Sequence, residues 1–280
     1  MTPNIITSLV AMRQFIKQEK KHLKKIGLVP TMGALHDGHL SLIKKAKQTT
    51  DIVIASIFVN PKQFSAKEDI ERYPQPIHDD IAKLTTMAVP IIYIPSASEI
   101  YPSDFTTNIT VGPLSHILCG ATRPDHFDGV AMVVNKLFLH IMPDIAVFGE
   151  KDYQQLVIIK KLVRDLNFPI DIIAAETVRQ ENGLALSSRN RYLTNDDEKI
   201  APLLFATLNT TKQKLLEGKD PRDVFPDAMN DLLSNGFKKI DYLEWRHSDD
   251  LSEAQDNKKP SRLLVAAHLG RARLIDNIPL

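Results

Sequence analysis

The sequence predicts an α/β protein, a doubly wound parallel sheet followed by a smaller C-terminal α+β domain. Three observations carry this. Nearly continuous apolar runs at residues 26–29, 51–59, 91–94, 145–148 and 170–174 alternate with stretches of helical spacing. Strands covered on both faces by crossover helices read as such runs. Two of these runs, 26–29 and 145–148, lead into a polar turn containing glycine and then a helix start, as ligand sites of open α/β sheets require. After residue 190 the alternation gives way to two helical stretches and then two strand candidates. The boundary is placed within residues 176–190, giving domains of residues 1–180 and 181–280.

The elements follow in order. Residues 8–20 place Leu9, Met12, Phe15 and Ile16 on one side of a helix. The basic run 20–25 reads as a solvated face before the strand of Ile26, Leu28 and Val29. Gly33 and Gly38 permit a tight turn or close approach to a ligand. Leu40, Leu42, Ile43 and Ala46 then continue with helical spacing. The run 51–59 reads as a central strand. It ends at Asn60-Pro61, so Asn60 and Gln63 lie at a strand's carboxyl end. Residues 69–87 are expected to be helical from 79 onward, and the β-branched segment 106–111 to form an edge strand. A helix over 131–141 precedes the strand ending at Gly149. The next helix begins near Asp152 and carries Leu156, Ile159, Lys160 and Val163. Thr194, with Asp196 and Asp197 behind it, opens a helical region reaching Gly218. A further helix over 223–233 and strands over 240–245 and 262–267 complete the smaller domain, with 252–260 as a surface loop.

Composition narrows the function. The 280 residues carry 35 basic and 34 acidic side chains, a formal charge of +1, which leaves no electrostatic footprint for nucleic acid or an anionic membrane. One cysteine forms no internal disulfide, no apolar run is long enough to span a bilayer, and the first residues lack the order of a signal peptide. A soluble cytoplasmic protein is expected.

His36 and His39 fall at the mouth of a helix that follows a parallel strand. Free N–H groups and the helix dipole favour an anion there. The residues alone leave other readings open: a helix cap with a surface histidine, or metal ligation. The pair lacks the glutamate and the four-residue spacing of the H-E-x-x-H pattern. Lys151, at the equivalent junction after 145–148, can reach a phosphate. Ser187 and Ser188 stand in no G-x-S-x-G elbow, so neither is expected to act as a covalent nucleophile.

Together these residues carry a resemblance. His36-Asp37-Gly38-His39 is similar to the H-x-G-H signature of the nucleotidyltransferase superfamily. The longer string from Pro30 to His39 resembles the pantothenate synthetase (pantoate–β-alanine ligase) family, as do, in order, residues 58–64, 148–155, 183–190 and the tail 269–277. The resemblance implies a Rossmann-like fold of the nucleotidyltransferase type. It implies ATP-dependent ligation of pantoate and β-alanine through a pantoyl adenylate, with Mg²⁺ on the phosphates, in a cytoplasmic homodimer. His39, His36, Lys151, Ser187, Ser188 and Arg189 are then the catalytic donors. Met32, Gly33, Gly38, Gly149, Asp152, Val178 and Leu186 join them around ATP, and Gln63, Asn60 and Gln155 hold pantoate or β-alanine. No metal ligand is assigned; Asp79 and Asp80 are possible outer ligands but read as solvated acids at a helix start. The smaller domain is expected to act as a lid. Three positions depart from the family pattern: Gln75 where Arg is common, Asp125 where Gly is common, and Met132 where Thr is common.

Overall fold

Apolar runs joined by helices pair in parallel, because each crossover returns the chain to the same end of the sheet. The computed structural model describes residues 2–64, 70 and 73–280. The chain divides into two compact units, one of residues 1–150 and 158–176, the other of 151–157 and 177–280.

The first unit is built on β1 (Asn4–Ile6), β2 (Ile26–Thr31), β3 (Ile52–Ile57), β4 (Ile91–Tyr93), β5 (Ile145–Gly149) and β6 (Asp171–Ala175). Their order in the sheet is β1-β4-β3-β2-β5-β6, and every pairing is parallel. The helices are α1 (Leu9–Lys21), α2 (Asp37–Lys47), α3 (Ile77–Thr86), the short α4 (Ala97–Ile100) and α5 (Cys119–Thr122), α6 (His126–Ile141) and, from residue 158 on, α7 (Tyr153–Asp165), whose residues 153–157 count with the second unit. Val29, Leu35, Ile43, Ile57, Leu84 and Ile92 are among the buried residues that join sheet to helices. Strand order reverses between β2 and β5. An open sheet of this kind binds its ligand outside the carboxyl ends of the strands at that reversal.

Helices α8 (Asn195–Ile200), α9 (Leu203–Leu216) and α10 (Pro221–Ser234) of the second unit pack on an antiparallel sheet of β7 (Lys239–His247), β8 (Ser261–Leu269) and β9 (Ala272–Pro279). Leu204, Leu208, Leu232, Trp245 and Leu263 lie in its core. Thr194 caps α8 reciprocally with Asp197.

Several expectations are corrected. Residues 106–111 form no strand. Thr106, Thr107 and Asn108 are exposed, and β-branching without a partner face does not make a strand. One edge of the sheet is β1, too short to show a period. Pro202 lies between α8 and α9, dividing the helical region expected from 194 to 218. Helix α6 begins five residues earlier than expected, and β9 adds a strand to the smaller sheet. Helix α3 begins at Ile77. Residue 69, the expected start of that segment, lies outside the described residues.

Candidate active site

The loop leaving β2 is shaped by backbone that its sequence permits. Gly33 has φ +81°, and a Cβ there would sit 2.9 Å from Asp80 Oδ2. Ala34 follows at φ 52°. Asp80, 1% exposed, holds this turn: its Oδ2 accepts the N–H of Ala34 at 2.8 Å and its Oδ1 that of Leu35 at 2.7 Å. Lys83 Nζ donates to the Leu35 carbonyl at 2.6 Å. Asp80 is therefore a buried support for the loop, not the solvated acid expected; Asp79 is exposed.

The loop delivers His36 to the N-cap of α2. His36 Nδ1 accepts the N–H of Gly38 at 3.2 Å, and His39 Nδ1 accepts the N–H of His36 at 3.3 Å. The rings lie 4.2 Å apart between centroids. Both histidines thus serve the helix start, where a cap and a polar tip are compatible roles. In the neutral rings, accepting at Nδ1 leaves the hydrogen on Nε2, which makes each Nε2 a donor.

At the end of β3, Asn60 and Gln63 are buried, and Asn60 caps the short 3-10 turn Pro61–Gln63. Asn60 Nδ2 donates to Gln63 Oε1 and to the Gly129 carbonyl, both at 3.0 Å. Its Oδ1 accepts from Lys62 N at 3.3 Å and from the Tyr101 hydroxyl at 2.8 Å. These four bonds use the whole capacity of the amide. In this structure the Asn60 amide thus supports Gln63. Gln63 Nε2 points to Met32 Sδ at 2.9 Å, a weak acceptor that a substrate oxygen would outcompete. His126 Nδ1 donates to the Gln63 carbonyl at 2.8 Å. Gly129 is required because a Cβ there would fall 2.2 Å from the Lys62 carbonyl oxygen. Gly149 ends β5; a Cβ there meets only Leu42, at ordinary contact distance.

Of the departures, Asp125 has φ 62° at the start of α6, a left-handed conformation that glycine adopts freely and aspartate tolerates. That accounts for both residue types there. Met132 is buried in α6, and Gln75 is exposed.

The second unit holds the remaining candidates. Residues 178–186 form a small hairpin, with Leu186 N donating to Val178 O and Gln180 N to Leu184 O, each at 2.9 Å. Ser187 follows in extended backbone, and its Oγ accepts the Arg189 N–H at 3.2 Å. Lys151, Ser187, Arg189, Arg273 and Asp276 line one cleft within this unit. Ser188, Gln155, Val178 and Leu186 are half-buried, and Asp152 is exposed, its carboxylate 3.7 Å from Lys151 Nζ. Arg179 and Asp276 are the additions sequence reasoning missed. Arg179 grips Asp276 through two hydrogen bonds, at 2.5 and 2.8 Å.

The reversal of strand order between β2 and β5 sets the class, an open doubly wound α/β protein with its ligand site at the carboxyl ends of the strands. The family model described as pantoate-beta-alanine ligase matches residues 4–279, and the chain belongs to that family. It is 45% identical over 280 residues to the pantothenate synthetase of Chelativorans sp., covering 100% of this chain and 99% of that one. It is 46% identical to that of Rhodospirillum rubrum over 275 residues, 98% of each chain. Among solved structures, the pantothenate synthetase of Thermus thermophilus superposes with a TM-score of 0.91 at 40% identity, covering 98% of both chains. The pantoate-beta-alanine ligase of Francisella tularensis, complexed with beta-gamma ATP and beta-alanine, superposes with a TM-score of 0.81 at 38% identity, covering 99% of this chain and 97% of that one. The chain is a ligase that joins pantoate to β-alanine, giving pantothenate.

Proposed function

We propose that the chain drives this ligation with ATP through a pantoyl adenylate. A pantoate carboxylate oxygen attacks the α-phosphorus, and pyrophosphate leaves. The β-alanine amine then attacks the acyl carbon, AMP leaves, and the amine gives up its proton. The observation that carries the reading is the histidine pair: both Nδ1 atoms are engaged by the start of α2, so both Nε2 atoms are donors. Donors fixed in advance gain most where charge grows, on the α-phosphate and the departing pyrophosphate. His36, His39, Lys151, Ser187, Ser188 and Arg189 supply them in this reading. Met32, Gly33, Gly38, Gly149, Asp152, Val178 and Leu186 surround the nucleotide, and Gln63 and Gln155 hold pantoate. The complex of the Francisella tularensis relative supports ATP and β-alanine as ligands.

Mg²⁺ belongs to the proposal as an ion that, when bound with ATP, would lower the negative charge of its phosphates. Asp80 has both oxygens engaged by backbone N–H groups. The residues therefore fit Mg²⁺ carried by phosphates better than Mg²⁺ in a protein cage. A cytoplasmic homodimer completes the reading, as the family implies; among the described residues no helix is long and apolar enough to cross a membrane.

Labelled pyrophosphate decides the route. Pantoate alone should support its exchange into ATP. Exchange that requires β-alanine would sink the separate adenylate.

A further inference from the structure

The tail 269–277 matches the family in sequence, yet none of its residues has a role in the reaction described so far. In the fold it forms the turn into β9 and most of that strand. Two of its residues fasten both anion-directed segments of the second unit. Asn277 Nδ2 donates to the Lys151 carbonyl at 3.0 Å, while its Oδ1 accepts from Arg262 Nη1 at 2.8 Å. Arg262, 7% exposed, lies over the Tyr153 ring, 4.0 Å from its centroid. The backbone of Lys151 is thus pinned directly, and again two residues on.

Asp276, 4% exposed, fastens the other segment. Besides gripping Asp276, Arg179 donates to the Gly183 carbonyl at 3.1 Å and lies 3.9 Å from the Phe205 ring centroid. Gly183 itself has φ +94°, and a Cβ there would be 2.5 Å from the Phe205 ring. The hairpin leading into Ser187 is therefore held from β9, as Lys151 is. Asp276 Oδ1 also accepts the Asn277 N–H at 2.7 Å, which couples the two arms. Neighbours in a strand point to opposite faces, so one dipeptide can reach two segments.

We propose that Asp276 and Asn277 are positioning residues, which fix Lys151 and the segment 183–189 against each other and so set the spacing of donors along the polyphosphate. This rests on the assignment of Lys151 and Ser187–Arg189 as phosphate donors. Neither residue touches the reacting atoms in this role. Its importance comes from geometry, since a displacement near 1 Å at a reacting centre lowers turnover by about 10²-fold.

The test is a double-mutant cycle on pantoate-dependent pyrophosphate exchange. Asn277→Asp keeps an acceptor for Arg262 but removes the donor to the Lys151 carbonyl. It should lower exchange about 10- to 100-fold. The pantoate concentration for half-maximal rate should stay unchanged. In a Lys151→Ala background the same change should add no further loss, because the group it positions is gone. Losses that multiply would overturn the proposal, since Asn277 would then act by another route. If Lys151→Ala alone left exchange intact, the donor assignment beneath the proposal would fail instead. If Asn277→Asp does not fold, Arg179→Lys tests the other arm by keeping charge and losing the two-pronged fit. It should slow exchange turnover and speed amide hydrogen exchange across residues 183–189. No change in either would overturn the proposal.

Discussion

Asn60 donates a hydrogen bond from Nδ2 to Oε1 of Gln63 across 3.0 Å, with both side chains buried. The bond fixes which way the Gln63 amide faces: its oxygen is taken, and its NH₂ is presented on the Met32 side. Gln63→Ala should therefore raise the pantoate requirement far more than the ATP requirement in steady-state kinetics. Asn60→Ala should do the same and also lower stability. It leaves the Gly129 carbonyl, the Tyr101 hydroxyl and Gln63 Oε1 short of a partner, at about 1–3 kcal/mol for each group left unpaired. A weakened ATP dependence with an unchanged pantoate dependence would place Gln63 with the nucleotide.

Asp80 and Asp79 are neighbours with opposite expected behaviour. Asp80→Asn replaces one accepting oxygen by a donor that faces a backbone N–H. A charge-assisted bond is lost, and the loop through Gly33 and Ala34 loses its anchor. The expected loss is about 2–3 kcal/mol, with reduced turnover. Asp79→Asn, at an exposed site, should stay within about 0.5 kcal/mol of the parent. Urea titrations of the two variants make the comparison. Equal effects would mean that Asp80 does not support the loop.

His140 should make the first unit sensitive to acid. It is 2% exposed and hydrogen-bonded through Nδ1 to the Tyr93 hydroxyl at 2.8 Å. Burial, then the positive charges of Lys136 and Arg13, push its pKa down to about 4, against an opposing pull from Glu99. The unfolded chain takes up this proton near the ordinary histidine value of about 6.5, the folded chain only near 4. Between those values the unfolded state binds more protons, so stability falls as pH falls, by roughly 3 kcal/mol at most from this group. His140→Asn keeps a partner for Tyr93 and does not titrate. Its stability should vary less between pH 6.5 and 4 than the parent's; an unchanged slope would remove His140 as the cause.

Some of this was legible in the sequence because the physics was local. Five of the six parallel strands announce themselves as apolar runs. The H-x-G-H string sits where strand and helix meet, and the ordered strings from residue 30 to 277 identified a family that the match over residues 4–279 bears out. The rest depends on distant partners. Strand β9 buries Asp276 and Asn277 among its apolar residues, which breaks the alternation a strand normally shows. Asp80 reads as a solvated helix-start acid because its partners lie 45 and 46 residues earlier. Nothing in the local sequence marks Arg179, because Asp276 lies 97 residues away. Buried charges paired across such separations leave no local pattern.

His39 carries two separable roles, and substitution can divide them. Its Nδ1 accepts the His36 N–H, so the imidazole is part of the cap on α2 as well as a proposed donor to developing phosphate charge. His39→Ala should lose both. Stability should fall by about 0.5–2 kcal/mol, the usual effect of removing a cap. Adenylate formation should slow by about 10²–10³-fold, the usual effect of removing one donor to a growing negative charge. An Asn amide oxygen can stand near the place of Nδ1, whereas a Gln amide NH₂ reaches nearer to Nε2. His39→Asn should therefore keep the cap and lose the rate, and His39→Gln should lose part of the cap and retain more of the rate. Thermal unfolding and single-turnover adenylate formation, measured on all three variants, give the answer. If rate followed stability across the series, His39 would be a capping residue and nothing more. If Asn at this position matched the parent in adenylation, a donor at Nε2 would have no part in the chemistry.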